Sequence, residues 1–442
     1  MSSEWPQTSI ADIASPLPGS LAVGPFGSRM KADLYVPSGV RVIRGNNLNS
    51  GKELSGDYVH VSEQTADSLA SCCLSPGDLV FPHRGNIGQV GITPDDGRRY
   101  MLSTSLMKLS PNRTKADPLY LMYFFKSASG RAALLMNASQ VGTPGIATPL
   151  KSLRGIELSL PPLCVQRKIS GTLSALDDRI TLLRETNATL EAIARALFKS
   201  WFVDFDPVRA KQEGRAPEGM DETTAALFPD GFEESELGLV PRGWRACSFT
   251  DTVEVIGGGT PKTSISDYWN GVIPWFSVVD APASSDVFVI DTEKHITELG
   301  LGNSSTKLLP AGTTIISARG TVGRLALTGK EMAMNQSCYG LRGKAGDDYF
   351  TYFCTCRLVE TLKQRTHGSV FDTITRDTLS GVVAVHPENA VICAFERLLS
   401  PIMERIREDL KQAQTLATLR DTLLPRLISG QLRLPEAVLA GV

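Results

Sequence analysis

At 442 residues, 42% of them hydrophobic, the chain exceeds what one core holds, and two or more domains are expected. No run of 18 apolar residues is present and the opening MSSEWPQTSI lacks the basic and apolar regions of a signal peptide, so no membrane span and a cytoplasmic location are expected. The formal net charge of −2 does not by itself mark a nucleic-acid binder.

The charge is unevenly spread. Residues 1–160 carry 15 Lys/Arg against 12 Asp/Glu, residues 206–243 carry 4 against 9, and residues 244–386 carry 13 against 14. An acidic middle segment thus masks a mildly basic first part. Among the eight cysteines only Cys72–Cys73 and Cys354/Cys356 lie close in sequence, with no CxxC. Buried reduced thiols are expected, and no metal site.

Taken in chain order, the sequence repeats itself. GVRVIRGNN (39–47) and GVIPWFSVV (271–279) each read as a strand after a turn glycine. FPHRGNIGQVG (81–91) returns as ISARGTVGRLA (316–326), with Arg84, Gly85 and Gly88 matching Arg319, Gly320 and Gly323. Each lies strand to strand, whereas a phosphate cradle leads into a helix N-terminus. The glycines are therefore expected to supply positive φ in a hairpin turn. DPLYLMYFFKSASGRAALLM (117–136) reads as a helix or two.

From Pro161 a heptad seam begins: Ile169, Leu173, Leu176, Ile180, Leu183, Asn187, Leu190, Ala194 and Leu197 alternate steps of four and three. The same seam recurs at Phe395, Leu399, Ile402, Ile406, Asp409, Ala413, Leu416, Arg420 and Leu423, with Asp409 and Arg420 as polar faults. Pro401 is expected to kink or restart the second helix. Forty helical residues extend about 60 Å, longer than one globule of this size covers. The expected fold is α+β. Two tandem globules with mixed or antiparallel sheet are separated by two long helices in an antiparallel coiled coil, a pseudo-twofold repeat with Asn187 facing alanine-containing layers to fix register. The segments are globule one (1–160), helix one (161–203), linker (204–243), globule two (244–386), helix two (387–430) and tail (431–442). Such a pair suits a ruler between DNA half-sites spaced about 34–36 Å per helical turn.

Catalytic hardware is not legible. There is no D/N-P-P-Y/F tetrapeptide, no strand-FxGxG turn and no PD…(D/E)xK set, and VIGGGTPKT (255–263) lacks P-loop spacing. His60, His83, His295, His367 and His386 are scattered without a nucleophile partner. An enzyme with an unrecognised site and a two-headed protein scaffold stay open beside a DNA-reading module.

Several stretches resemble the specificity subunits of type I restriction–modification systems: ALFKSWFVDFDPVRAK (196–211), GRAPEGMDETTAALFPDGFEESELGLVPRGW (214–244), HGSVFDTITRDTL (367–379) and LRDTLLPRLISGQL (419–432). GPFGSRMKADLYVPSGVRVIRGNNL (24–48), GGGTPKTSISDYWNGVIPW (257–275) and ISARGTVGRLALTGKEMAMNQS (316–337) resemble that family's target-recognition domains. The resemblance implies a chain that is not an enzyme on its own. Each globule would read one half of a split, asymmetric double-stranded DNA target, the helices would set the gap, and two methyltransferase subunits and restriction/translocase subunits would join. S-adenosylmethionine, ATP and magnesium would belong to those partners, with no cofactor in this chain. Ser103-Thr104 stands where the second copy has Asn335-Gln336, so the halves are expected to read different bases. Base-edge readers are expected among Arg29, Lys31, Arg44, Asn46 and Asn47 in the first copy and Lys262, Lys307, Asn335, Gln336 and Arg376 in the second. Arg84 and Arg319 are the candidates for phosphate contact.

Overall fold

A computed structural model describes residues 5–26, 29–48, 51–52, 54–139, 144–282, 286–365 and 373–434. His367, residues 367–372 of the HGSVFDTITRDTL stretch and residues 435–442 of the tail lie outside the described residues. The chain divides into two compact units, residues 1–180 with 415–442, and residues 181–414.

In the first unit, strands Leu21–Val23, Leu106–Leu109, Leu79–Pro82 and Gly91–Ile92 form an antiparallel sheet in that spatial order. A second sheet places Val40–Ile43 parallel to Tyr100–Leu102, flanked by antiparallel neighbours. The second unit repeats this plan. Val253–Gly257, Cys338–Gly343, Thr314–Ser317 and Leu325–Thr328 are the antiparallel set, and Trp269–Phe276 runs parallel to Ala333–Met334. Each globule is closed by a ladder between its first and last strands, Gln7–Ser9 with Glu157–Ser159 and Arg245–Ser248 with Val383–His386. The expected mixed sheets are present in both copies.

One local expectation changes and another becomes definite. Gly39 is the turn glycine, at φ +144°, but Gly271 lies inside its strand, where the ladder to His295–Ile296 shifts register between Trp269 and Ile273. The 117–136 segment forms two helices, Pro118–Lys126 and Ala128–Leu135. Asp117 caps the first, with Pro118 in its opening turn, and Ser127 starts a new helix by accepting from the Gly130 N–H at 3.3 Å. A serine there competes with the helical ladder, which periodicity does not register.

The long helices run from Leu163 to Phe202 and from Asn389 to Ile428, 40 residues each. The second continues through Pro401 without a break. All predicted seam positions are buried or half-buried. In the first unit the beginning of helix one meets the end of helix two: Ile169 and Leu173 share a core with Leu427, Ile428 and the sheet residues Leu79 and Phe81. In the second unit the end of helix one meets the beginning of helix two: Ala194, Phe198 and Phe202 pack with Phe395, Leu399 and Met403. The pairing is therefore antiparallel within each unit.

The polar faults have partners. Arg420 donates to Asp177 at 2.6 Å, and the other oxygen of Asp177 accepts from the Tyr123 hydroxyl at 2.7 Å. Asp409, 3% exposed, pairs with Arg405 one turn earlier at 2.9 Å. Asn187, 1% exposed, donates to the Ile406 carbonyl at 3.2 Å. The two charged groups are paired and the Asn187 amide nitrogen is bonded, because burial without a partner costs several kcal/mol, while the Asn187 Oδ1 has no hydrogen-bond partner.

The acidic linker is folded. It contains helices Asp206–Gln212 and Glu222–Ala226 and the hairpin Phe232–Ser235/Gly238–Pro241. Its acids point outward, while Val208, Phe228 and Val240 are buried. Phe228 stacks edge-on to Trp201 at 5.1 Å, and Phe202 lies 4.9 Å from both Phe350 and Phe395. Not all cysteines are buried: Cys164 and Cys393 are exposed, while burial pushes the Cys356 thiol up to about 11. All eight are free thiols.

Two stability outcomes follow. Asp177→Ala leaves the Arg420 guanidinium, 20% exposed, with only the exposed Asp421 carboxylate and takes the acceptor from the Tyr123 hydroxyl, and is expected to cost about 3 kcal/mol. The double change Asp177→Leu/Arg420→Met should recover most of that loss in thermal unfolding. In the second unit, Glu396 accepts the Phe350 N–H at 2.7 Å, and desolvation pushes its carboxyl up to about 7 from the usual 4.5. The folded state then holds this proton when the unfolded chain has released it. Stability from Glu396 is complete below pH 4.5 and falls as pH rises through about 7, by a few kcal/mol in total. Glu396→Gln should flatten that slope between pH 5 and 8; an unchanged slope would refute the assignment.

Candidate nucleic-acid interface

The glycines of the repeated RG segment resolve first. Gly85, Gly88, Gly320 and Gly323 take φ of +78°, +93°, +77° and +79°, and each segment links paired antiparallel strands. They make turns. Ser317 builds the second one: its hydroxyl donates to the Thr321 carbonyl at 2.6 Å and accepts from the Arg324 N–H at 2.8 Å. Arg84 and Arg319 stand exposed at the start of these turns, each forming a bridge to a second segment, at Gly145 and Thr373. Arg376 is also exposed, and its guanidinium donates to the Val255 carbonyl at 2.9 Å.

A second cluster forms where the parallel strand pair ends. In the first globule the strand Val40–Ile43 runs into a tight turn at Arg44–Asn47. The Arg44 N–H donates to Asn47 Oδ1 at 2.9 Å, and the Ile43 carbonyl accepts from the Ser103 N–H at 2.9 Å. In the second globule, the Ser277 N–H donates to Asp280 Oδ2 at 2.8 Å, and the Phe276 carbonyl accepts from the Asn335 N–H at 2.9 Å. Arg44–Asn47 and Ser277–Asp280 are thus one turn built twice.

A third loop lies on the same edge. A Cβ on Gly24 would stand 1.8 Å from the Ser103 carbonyl, and one on Gly258 would stand 1.9 Å from that of Asn335. The close approach holds Gly24 against the turn at 103–104, and Gly258 with the 258–263 loop against the turn at 335–336. The second of these loops is also pinned by tryptophan indoles, Trp275 to the Gly259 carbonyl at 3.0 Å and Trp269 to that of Lys262 at 3.3 Å. Thr306, beside Lys307, donates to the Met334 carbonyl at 2.8 Å.

The expected readers separate by geometry. Arg29, Lys31 and Asn46 are exposed at the first cluster; Lys262, Lys307 and Gln336 are exposed at the second, where Gln336 accepts from Thr260. Asn335 is half-buried, its Oδ1 occupied by the Ser337 N–H at 3.0 Å. Arg44 is half-buried and donates to the Asp57 carbonyl at 3.0 Å. Asn47 is 0% exposed, and its amide nitrogen donates to the carbonyls of Ser55 and Asp57. It shapes the turn and has no edge to offer a base, as Asp280 at the matching place makes plain. Not among the expected readers are Thr104 and Val279, exposed on the same edges, and the half-buried Thr260. The shared spacing of Asn47 and Asp280, three residues after the residue they cap, was the available signal.

Among the described residues no group of three or more His, Cys, Asp or Glu side chains is placed to hold a metal. Nor is any helix among them long and apolar enough to cross a membrane.

Two sheet-containing globules of one plan, each rooted on a pair of long helices, define the class: a duplicated α+β protein with a loop cluster repeated on each globule. The sequence matches the type I restriction modification DNA specificity domain over residues 27–192 and again over 241–382. The chain belongs to that family and is a specificity subunit of a type I restriction–modification system. It is 28% identical to the Haemophilus influenzae type I restriction enzyme HindI specificity subunit, over 87% of this chain and 94% of that one. It is 30% identical to the Methanocaldococcus jannaschii MjaIX specificity subunit over 42% of this chain and 44% of that one. The fold is similar to the crystal structure of the type I restriction-modification S subunit from M. genitalium, with TM-score 0.56 and 15% identity over 96% of both chains.

The glycine contacts are testable. Gly24→Ala or Gly258→Ala drives a methyl into backbone carbonyl oxygen, so the loop must move. Each is expected to destabilise its own unit by about 2–4 kcal/mol, and to weaken sequence-specific DNA binding. The check is differential unfolding with a DNA-binding titration, and wild-type behaviour in both would refute the close approach.

Proposed function

We propose that this chain is a non-catalytic subunit that reads a bipartite, asymmetric DNA target, one half per globule, with the paired helices setting the unread gap. The observation that carries the reading is one loop framework, built twice, bearing different exposed side chains: Arg29, Lys31, Asn46 and Thr104 in one copy, Lys262, Lys307, Val279 and Gln336 in the other. Identical frames with different faces suit two different half-sites.

Basic and amide side chains at turn tips supply base-edge contacts, Arg or Lys to guanine and Asn or Gln to adenine, while Arg84 and Arg319 contact phosphates. The near-neutral net charge fits a subunit whose partners provide much of the salt-sensitive phosphate binding. Two methyltransferase subunits dock on the helices and restriction/translocase subunits complete the complex. S-adenosylmethionine, ATP and magnesium are used by those partners. The complex works on cytoplasmic DNA.

Co-expression with the cognate methyltransferase, followed by genome-wide mapping of methylated adenines, should yield a split motif with a constant gap. Exchange of residues 1–160 for another recognition domain should alter one half only; alteration of both halves would sink modular reading. Insertion of one heptad into each long helix, after Glu185 and after Lys411, adds about 10 Å of helix. The gap is expected to grow by about 3 base pairs, given roughly 3.4 Å per pair, and an unchanged gap would dismiss the helices as the spacer.

A further inference from the structure

The repeated turn at Arg44–Asn47 and Ser277–Asp280 has one fully outward position, its third. Asn46 occupies it in the first globule and Val279 in the second. Two bonds beneath the two positions are matched: that to the capping oxygen of Asn47 or Asp280, and that of the strand carbonyl to Ser103 or Asn335, with donor–acceptor distances agreeing to 0.1 Å. The frame is held in common and the tip side chain differs.

Val279 is 72% exposed. A single exposed valine is ordinary on a protein surface, and its side chain adds little to the stability of the folded chain. Its position is what sets it apart. Its turn leaves the strand end that the Asn335 N–H bonds. Gln336 follows directly, Thr260 reaches Gln336, and the Lys262 loop is held on the same edge by Gly258 and by Trp275. An apolar tip among hydrogen-bonding and cationic neighbours matches one feature of the DNA major groove, the thymine C5-methyl, which is read by apolar contact.

We propose that Val279 is a specificity-determining residue that packs on a thymine methyl in the half-target of the second globule, a role that Asn46 cannot share at the same place in the first. The inference rests on the reading of this chain as a DNA specificity subunit and adds to it a residue and a base.

The test uses the full chain in complex with its methyltransferase subunit, and duplexes carrying its mapped target with each thymine in turn replaced by deoxyuracil, which removes only the methyl. One thymine in the second globule's half should bind about fourfold more weakly as deoxyuracil, the loss of one buried methyl contact. Val279→Ala should abolish that sensitivity while leaving the other half-target and the gap unchanged. Val272→Ala, at a residue 85% exposed on the preceding strand, should retain it. The proposal is overturned if no thymine in that half is methyl-sensitive, if sensitivity persists in Val279→Ala, or if Val272→Ala abolishes it equally. A wild-type complex that binds DNA without any split motif overturns the specificity reading itself, and this inference with it. A split motif lacking methyl sensitivity overturns only the inference.

Discussion

The seam between the two long helices is the constraint on which both units depend. In each unit a helix end from one half of the chain packs against a helix end from the other. Neither globule therefore completes its core from local sequence alone. The first draws Leu427 and Ile428 from the far end of the chain, beside Ile169 and Leu173. The second joins Phe198 and Phe202 to Phe395 and Leu399. Such long-range closure is entropically costly, and the aromatic density of the second unit offsets part of that cost through large buried areas and edge-to-face contacts.

The polar groups of the seam give it register. A purely apolar antiparallel pair tolerates slippage by a heptad. The Asp177–Arg420 pair and the Asn187–Ile406 contact do not, because a slip would leave buried charge or amide unpaired. The first unit also ties its globule to the seam through the Tyr123 hydroxyl on Asp177, whereas Phe198 of the second unit is stacked by Phe353. Two solutions to one task, polar and aromatic, sit in the two copies of a duplicated fold.

Much of this architecture was legible because it is periodic or repeated. The heptads marked both helices, and the RG echo located the same hairpin twice. What was hidden depends on single hydrogen bonds. Ser127 divides the 117–136 stretch in two, where periodicity left one helix or two open. Pro401 left its helix intact because helix formation around it is supported by tertiary packing of Leu399 and Met403. Asn47 looked like a base reader since residue type cannot say whether an amide faces solvent or its own loop. The acidic segment was read only as a linker, yet it folds around its few aromatic residues.

The ladder that closes each globule has a consequence for how such proteins diversify. With Gln7–Ser9 beside Glu157–Ser159, and Arg245–Ser248 beside Val383–His386, the chain enters and leaves each globule at neighbouring points. A globule is then a cassette with both junctions side by side. Recombination that trades one cassette for another need only preserve a short ladder and the helix that follows. A new set of exposed loop side chains can thus arrive in a single genetic event, without re-evolving the frame that presents them.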